Sequence, residues 1–218
     1  FQLMIIVGAK GFAKEVLEVL HQLNQLDHLV FYDDVNEDAP AFLYGQFPVL
    51  RNKEAAAHYF KTVDNRFTIG IGNPVLRKRL ALEFEAMGGV FTSTVSPLAQ
   101  IGHYGNTIDV GNNIMANVLI SNDVQIGKGC IIYFKSIITH DCIIGDFVEI
   151  SPSVNLLGRC KIGNYTQIGS NSTILPDVVI GENVIIGAGS VVTKDIPDNC
   201  LVVGIPATIK KELPELNF

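Results

Sequence analysis

The most specific chemistry in the sequence lies in two adjacent side chains. His140 and Asp141 stand together in "IITHDCIIGDFVEIS", a stretch otherwise made of isoleucine and small residues. A carboxylate beside an imidazole can orient the ring and raise its basicity, which makes a general base. The bland alternative is a buried histidine satisfied by a neighbour. A second group lies far upstream. Gly8 and Gly11, in "GAKG", follow an apolar run and precede a helical pattern, so backbone N–H groups there can hold a phosphate, with Lys10 adding a positive charge. Asp33 and Asp34 follow a second apolar run and can contact a ribose or base, unless they are simply solvated turn carboxylates. Gly70, Gly72 and Asn73 follow a third. The GxxG spacing lacks the middle glycine of the dinucleotide fingerprint, which argues against NAD.

The elements that must position these residues fall into two patterns. In the first 92 residues, strand-like and helix-like segments alternate. "LMIIV", "HLVFY" and "RFTIGIG" read as strands. "FAKEVLEVLHQL" has Phe12, Val16, Val19, Leu20 and Leu23 on one helical face, "KEAAAHYF" is a short helix, and Pro74 opens another. Alternation predicts a small parallel, Rossmann-like α/β sheet. Its three strand ends would meet in one crevice at the carboxyl edge.

From Ile108 onward every sixth residue is aliphatic, up to Val192. Small residues recur two places before most of them, and three of the four cysteines, Cys130, Cys142 and Cys160, occupy that slot. Gly127, Gly145, Gly163 and Gly181 recur every eighteen residues. Eighteen is three sixes, so the simplest geometry is a triangular coil with the aliphatic residues inward. Coils would stack at about 4.8 Å, and those glycines are expected to supply positive φ at one corner. Repeats of this kind bury their core only against neighbours. His140 falls two residues after the inward Ile138, near a corner, which favours the chemical reading over the packed one. The expected division is an α/β domain over 1–92, an all-β parallel β-helix over 93–196 and a capping tail over 197–218.

Composition narrows the class. Lys and Arg number 16 against 22 Asp and Glu, a net charge of −6, which argues against nucleic-acid binding. No stretch of about 18 apolar residues is present, so no membrane span is expected. The opening "FQLMIIVGAKG" lacks a basic region and cleavage site of the secretory kind. No CxxC pair occurs, so a zinc site is not expected, and four thiols in packing positions, Cys200 included, fit a reducing cytoplasm. Beyond His140 the β-helix run holds no histidine, and His103 stands at its opening, so a three-histidine metal site is not available.

The repeat resembles the left-handed β-helix of hexapeptide acyltransferases. With the N-terminal GxxG domain, "THDCIIGDF", "VVTKDIP" and "VGIPA", nearly the whole chain is similar to the bacterial sugar acetyltransferases, both sugar-nucleotide 4-N-acetyltransferases and the sialic-acid O-acetyltransferase type. That resemblance implies acetyl transfer from acetyl-CoA, a homotrimer, and CoA lying between neighbouring prisms. It implies His140 as base with Asp141 as its partner, and Gly8, Lys10, Gly11, Asp33, Asp34, Gly72 and Asn73 around the sugar nucleotide. Glu149, Gly158, Ser170 and Ala188 would meet the cofactor, with the Gly158 N–H facing the developing oxyanion. One departure stands out: Glu149 occupies a position, in "FVEIS", where the family often carries a second histidine. An ionised glutamate accepts hydrogen bonds but cannot donate them. The amine of a nucleotide-linked 4-amino sugar is the expected acceptor. The alternatives are a sialic-acid-like hydroxyl, or a prism that binds or assembles without catalysis.

Overall fold

The structure, a computed structural model, describes residues 4–217, so Leu3, at the start of the first expected strand, lies outside it. The chain divides into two compact units, one ending at Pro97 and the other beginning at Leu98.

The first unit is a parallel sheet with helices. In chain order it contains β1 (Ile5–Val7), α1 (Gly11–Gln22), β2 (Val30–Tyr32), β3 (Phe42–Leu43), β4 (Phe47–Leu50), α2 (Lys53–Thr62), β5 (Arg66–Ile69), α3 (Pro74–Ala86) and β6 (Val90–Phe91). The sheet order is β3-β4-β2-β1-β5-β6. All pairs are parallel except the β3–β4 hairpin. The central strands β1 and β2 are buried along their whole length, as a sheet covered by crossover helices requires. The sequence pattern foresees β1, β2 and β5 and misses the rest. Phe42–Leu43 and Val90–Phe91 are two-residue strands, too short for any periodicity, and Pro48 sits inside β4. Aromatic rings fill the core beside β5: Phe67 stacks on Phe91 at 5.1 Å and meets Phe84 at 5.4 Å, and Phe84 stands edge-on to Tyr32 at 5.0 Å.

The second unit is a parallel β-helix of two-residue strands. One face carries strands at 113–114, 131–132, 149–150, 167–168 and 185–186. The next carries 119–120, 137–138, 155–156, 173–174 and 191–192, and the third 107–108, 125–126, 143–144, 161–162 and 179–180. Each strand pairs with the residue eighteen places on, as Ile138 does with Leu156. Ile114 through Val192, at steps of six, are buried to 3 % exposure or less. The tail continues the stack: Cys200–Gly204 lies parallel below Ile185–Ile186, and Ala207–Glu212 folds back antiparallel on it.

The corners differ from the sequence expectation. Positive φ occurs at every sixth residue from Gly105 to Gly189, and most of these residues are not glycine: Asn117, Asp123, Lys135, Asp141, Phe147, Ser153, Arg159, Tyr165, Asn171, Asp177 and Asn183. Asn and Asp tolerate this conformation best, and they are frequent here. Gly127, Gly145, Gly163 and Gly181 do not have it. They are small for another reason. A Cβ on Gly127 would overlap Asp146 Oδ1, and one on Gly145 would overlap Asn164 Oδ1. Those oxygens reach through the gap to the coil above. Lys128 N–H donates to Asp146 Oδ1 at 2.9 Å, and Asp146 N–H to Asn164 Oδ1 at 2.7 Å. Gly181 makes the same room for Asp198, which accepts from Glu182 N–H at 2.8 Å. The eighteen-residue glycine period therefore records close approach between coils. Gly145→Ala is expected to lower the unfolding free energy by about 2–3 kcal/mol, from overlap and the lost hydrogen bond. Urea denaturation measures it, and an unchanged midpoint would reject the close-approach account.

Candidate active site

Residues capable of chemistry gather in two places, one in each unit. In the first unit a crevice of about 780 Å³ opens at the carboxyl ends of β1, β2 and β5. Gly8, Lys10, Gly11, Asp33, Asp34 and Gly72 all line it. At one end the chain turns from β1 into α1. Gly8 has φ of 111°, and a Cβ there would come within 2.9 Å of Gly70 O, so only glycine fits. α1 starts without a side-chain cap, whereas Asn52 caps α2 and Asn73 caps α3. The uncapped start of α1 faces the crevice, with Lys10 and Gly11 in its lining. Lys10 Nζ lies there, 3.3 Å from Asp38.

The two aspartates after β2 have different tasks. Asp33 is buried, and its carboxylate accepts from Asn36 N–H at 2.9 Å and from Asn36 Nδ2 at 2.9 and 2.8 Å. Arg51 braces the same loop by donating to the carbonyls of Asp33, Asn36 and Ala39. Asp33 thus shapes the wall of the crevice. Asp34 accepts from Tyr32 Oη at 2.9 Å. Burial, then the hydrogen bond to Asp34, pushes the Tyr32 phenol well above its ordinary pKa. Beside them Lys53, at the start of α2, pairs with Glu83 of α3, and that hydrogen bond holds the ammonium protonated. Tyr32, Asn36, Lys53 and Glu83 line the crevice and were not foreseen. Lys53 follows β4, which the sequence pattern does not announce, and Glu83 reads as an ordinary solvated helix position. Asn73 is absent from the lining. Its side chain accepts from Leu76 N–H at 2.9 Å, the role of a helix cap.

The second place is a corner of the β-helix between Ile137–Ile138 and Ile143–Ile144. His140 and Asp141 form the turn. Asp141 adopts φ of 60°. His140 Nδ1 lies 2.6 Å from Asp141 Oδ2, with both side chains about half exposed. An ionised carboxylate only accepts, so Nδ1 carries the proton and Nε2 keeps its lone pair. One coil on, at the same corner, stands Gly158, buried directly against the imidazole. Among the described residues its N–H has no hydrogen-bond partner. Arg159 follows and clamps Asp177 through Nε at 2.6 Å and Nη2 at 2.8 Å, and that ion pair keeps the Asp177 carboxyl below the usual carboxylate range.

The other expected cofactor contacts lie elsewhere on the prism. Glu149 lies on the face that does not border the His140 corner, paired between Ile131 and Gln167. Ser170 and Ala188 sit at the corner beyond that face, in the turns after Ile168 and Ile186. A single chain does not bring these residues to His140. All four cysteines are buried free thiols, and Cys142 and Cys160 touch at 3.5 Å inside the stack, so no thiol is presented as a nucleophile. Among the described residues no group of histidine, cysteine and carboxylates could hold a metal, and no helix is long and apolar enough to cross a membrane.

A nucleotide-sized crevice at a parallel sheet edge, joined in one chain to a hexapeptide prism, defines a bacterial hexapeptide transferase. Residues 4–84 match the PglD N-terminal domain, and residues 141–175 and 159–194 match the bacterial transferase hexapeptide family. The GDP-perosamine N-acetyltransferase of Escherichia coli is 31% identical over 159 residues, 70% of this chain and 69% of that one. The chain therefore belongs to the sugar acetyltransferases of the hexapeptide-repeat class, and is an acetyltransferase. Among solved structures, perosamine N-acetyltransferase from Caulobacter crescentus, in complex with CoA and GDP-perosamine, is similar at a TM-score of 0.88 and 29% identity, covering 97% of this chain and 98% of that one. The acetyltransferase domain of PglB from Neisseria gonorrhoeae, in complex with acetyl coenzyme A, is similar at 0.86 and 26%, covering 96% and 99%.

Asn73→Ala is expected to cost about 1 kcal/mol of stability through the lost cap, with nucleotide binding in the crevice changed less than twofold. Denaturation and calorimetric titration with nucleoside diphosphates measure the two, and a large loss of affinity with unchanged stability would return Asn73 to the ligand.

Proposed function

We propose that the protein transfers the acetyl group of acetyl-CoA to the amine of a nucleotide-linked 4-amino sugar. The observation that carries this reading is the 2.6 Å contact of His140 Nδ1 with Asp141, which leaves Nε2 free to accept a proton. The first unit holds the nucleotide. Phosphates meet the uncapped start of α1 at Gly8 to Gly11 with Lys10, and the nucleoside lies toward Tyr32, Asp34, Lys53 and Glu83. The β-helix holds acetyl-CoA. The relatives from Escherichia coli and Caulobacter crescentus, named for acetylating perosamine, favour an amine over a hydroxyl acceptor and a sugar nucleotide over a free sugar.

In the reaction the sugar nitrogen attacks the thioester carbonyl as His140 Nε2 takes its proton. The carbonyl oxygen becomes an oxyanion and accepts from the Gly158 N–H, whose lack of a protein partner supports this role. As the C–S bond breaks, the proton passes from the imidazolium to the CoA thiolate and the amide is left. Glu149, away from His140 in its own chain, meets the donor bound at a second copy's His140 corner, and only as an acceptor. The assembly is a homotrimer. Its support is the separation of Ser170 and Ala188 from the His140 corner, so that a site using all of them is built from two copies.

His140→Ala is expected to lower kcat by roughly 10²–10⁴ with the fold intact, because the ring is half exposed. Acetyl-CoA consumption across a panel of 4-amino sugar nucleotides measures it. Near-wild-type turnover on the best acceptor would remove His140 as base, and no turnover by the unmodified protein on any acceptor would favour a prism that binds without catalysis. Asp34→Ala with Lys10→Ala should raise the acceptor KM far more than the acetyl-CoA KM; the reverse pattern would exchange the two ligands between the units. Sedimentation should give a trimer, and a fully active monomer would contradict the two-copy site.

A further inference from the structure

We propose that Gly158 is a positioning residue for His140, acting through the side chain it lacks. This rests on His140 being the base. The two residues are eighteen apart and occupy the same corner in successive coils. A Cβ on Gly158 would lie 2.7 Å from His140 Cε1, 2.8 Å from Nε2 and 3.4 Å from Nδ1. Non-bonded carbon atoms settle at about 3.5–4.0 Å, so the imidazole lies across Gly158 where any other residue would put an atom. The backbone does not ask for glycine here. Positive φ at this turn belongs to Arg159, at 66°, and Gly158 itself is outside that region. The slot takes side chains elsewhere in the column, with Asn122 one coil before His140 and Pro176 one coil after Gly158. Glycine at 158 is set by the ring above it.

The floor under the ring is also held still. Arg159 N–H donates to His140 O at 3.0 Å, and Asp177 N–H donates to Gly158 O at 3.0 Å. Cys160 N–H closes the turn on Leu157 O at 3.2 Å, and the Arg159–Asp177 clamp ties the same turn to the next coil. The turn cannot sink to admit a methyl group. The imidazole is thus fixed on two sides: Asp141 holds Nδ1, and the bare Cα of Gly158 supports the edge from Cε1 to Nε2. A half-exposed histidine with only the carboxylate contact would pivot about it. With the floor in place, Nε2 points in one direction.

The test is a double-mutant cycle on the trimer, reading kcat and both KM values for Gly158→Ala, His140→Ala and the pair. Alanine keeps the N–H, so a loss in Gly158→Ala reports the space and not the amide. Gly158→Ala is expected to lower kcat roughly 10²-fold, the scale of a misplaced reacting group, with both KM values within about threefold. The pair should be no slower than His140→Ala alone, because a floor matters only beneath a ring. If Gly158→Ala turns over within threefold of wild type while His140→Ala is slow, the base reading stands and this proposal falls. If the two losses multiply, Gly158 acts independently of His140 and the proposal is again wrong. If His140→Ala is fully active, the base reading itself has failed. Should the methyl unfold the corner under the intact ring, the pair still decides, since no ring opposes the methyl there. Free imidazole should restore turnover to His140→Ala and not to the pair; equal rescue of both overturns the proposal.

Discussion

Everything in the β-helix depends on one backbone constraint: the chain must turn a corner every six residues and land one coil lower after eighteen. Left-handed φ at each corner makes the turn, at residues that mostly carry side chains. Because the coils are in register, residues eighteen apart face each other at strand spacing, about 4.8 Å. That distance lets like side chains stack, but it leaves no room for one that folds across the turn of the neighbouring coil unless a bare Cα faces it. The corner columns solve it by pairing unlike residues. Glycine admits an aspartate or asparagine from below at Gly127 and Gly145, and the His140 ring from above at Gly158. Phe147 and Tyr165 solve it by stacking, with rings 9° from parallel. Chemistry and stability at the corners follow the same rule.

Much of this was legible in the sequence, and the exceptions have physical causes. The six-residue aliphatic period was readable because one inward position per strand tolerates nothing polar. The corners were misread because left-handed φ was equated with glycine, while Asp, Asn, and even Phe147 and Tyr165 are held there by the ladders on both sides. The eighteen-residue glycine period was a true signal with a different cause, visible only when the turn of the next coil is taken with it, as Asp146 is with Gly127 and Asn164 with Gly145. In the first unit the apolar strands β1, β2 and β5 were recognisable, and the two-residue strands and the proline-bearing β4 were not.

The candidate site shows a similar division. The glycine turn after β1, the aspartates after β2 and the His140–Asp141 pair announced themselves by type and neighbourhood. Asn73 did so too, yet it caps α3, because an asparagine before a helical proline suits a cap as well as a ligand. Lys53 and Glu83 gave no sign, since they meet only through the packing of α2 and α3. Asp33 illustrates a middle case. It sits in the crevice wall, and its two oxygens are spent on Asn36. Residue type located the site, and hydrogen-bond accounting separated the residues that build it from those left to face a ligand.

The in-register stack also has a genetic meaning. Eighteen residues form a cassette that begins and ends at the same corner, so tandem duplication or loss of eighteen codons after Asp177 would add or remove a whole coil. Such a change would leave His140, Asp141, Gly158 and Arg159 facing one another as they do now. A single inserted codon between His140 and Gly158 would rotate every later corner out of its column. Indels within this half of the gene should therefore survive in multiples of eighteen, or as excursions that leave and return at one corner, and the length of the prism can drift while the distance between His140 and Gly158 does not.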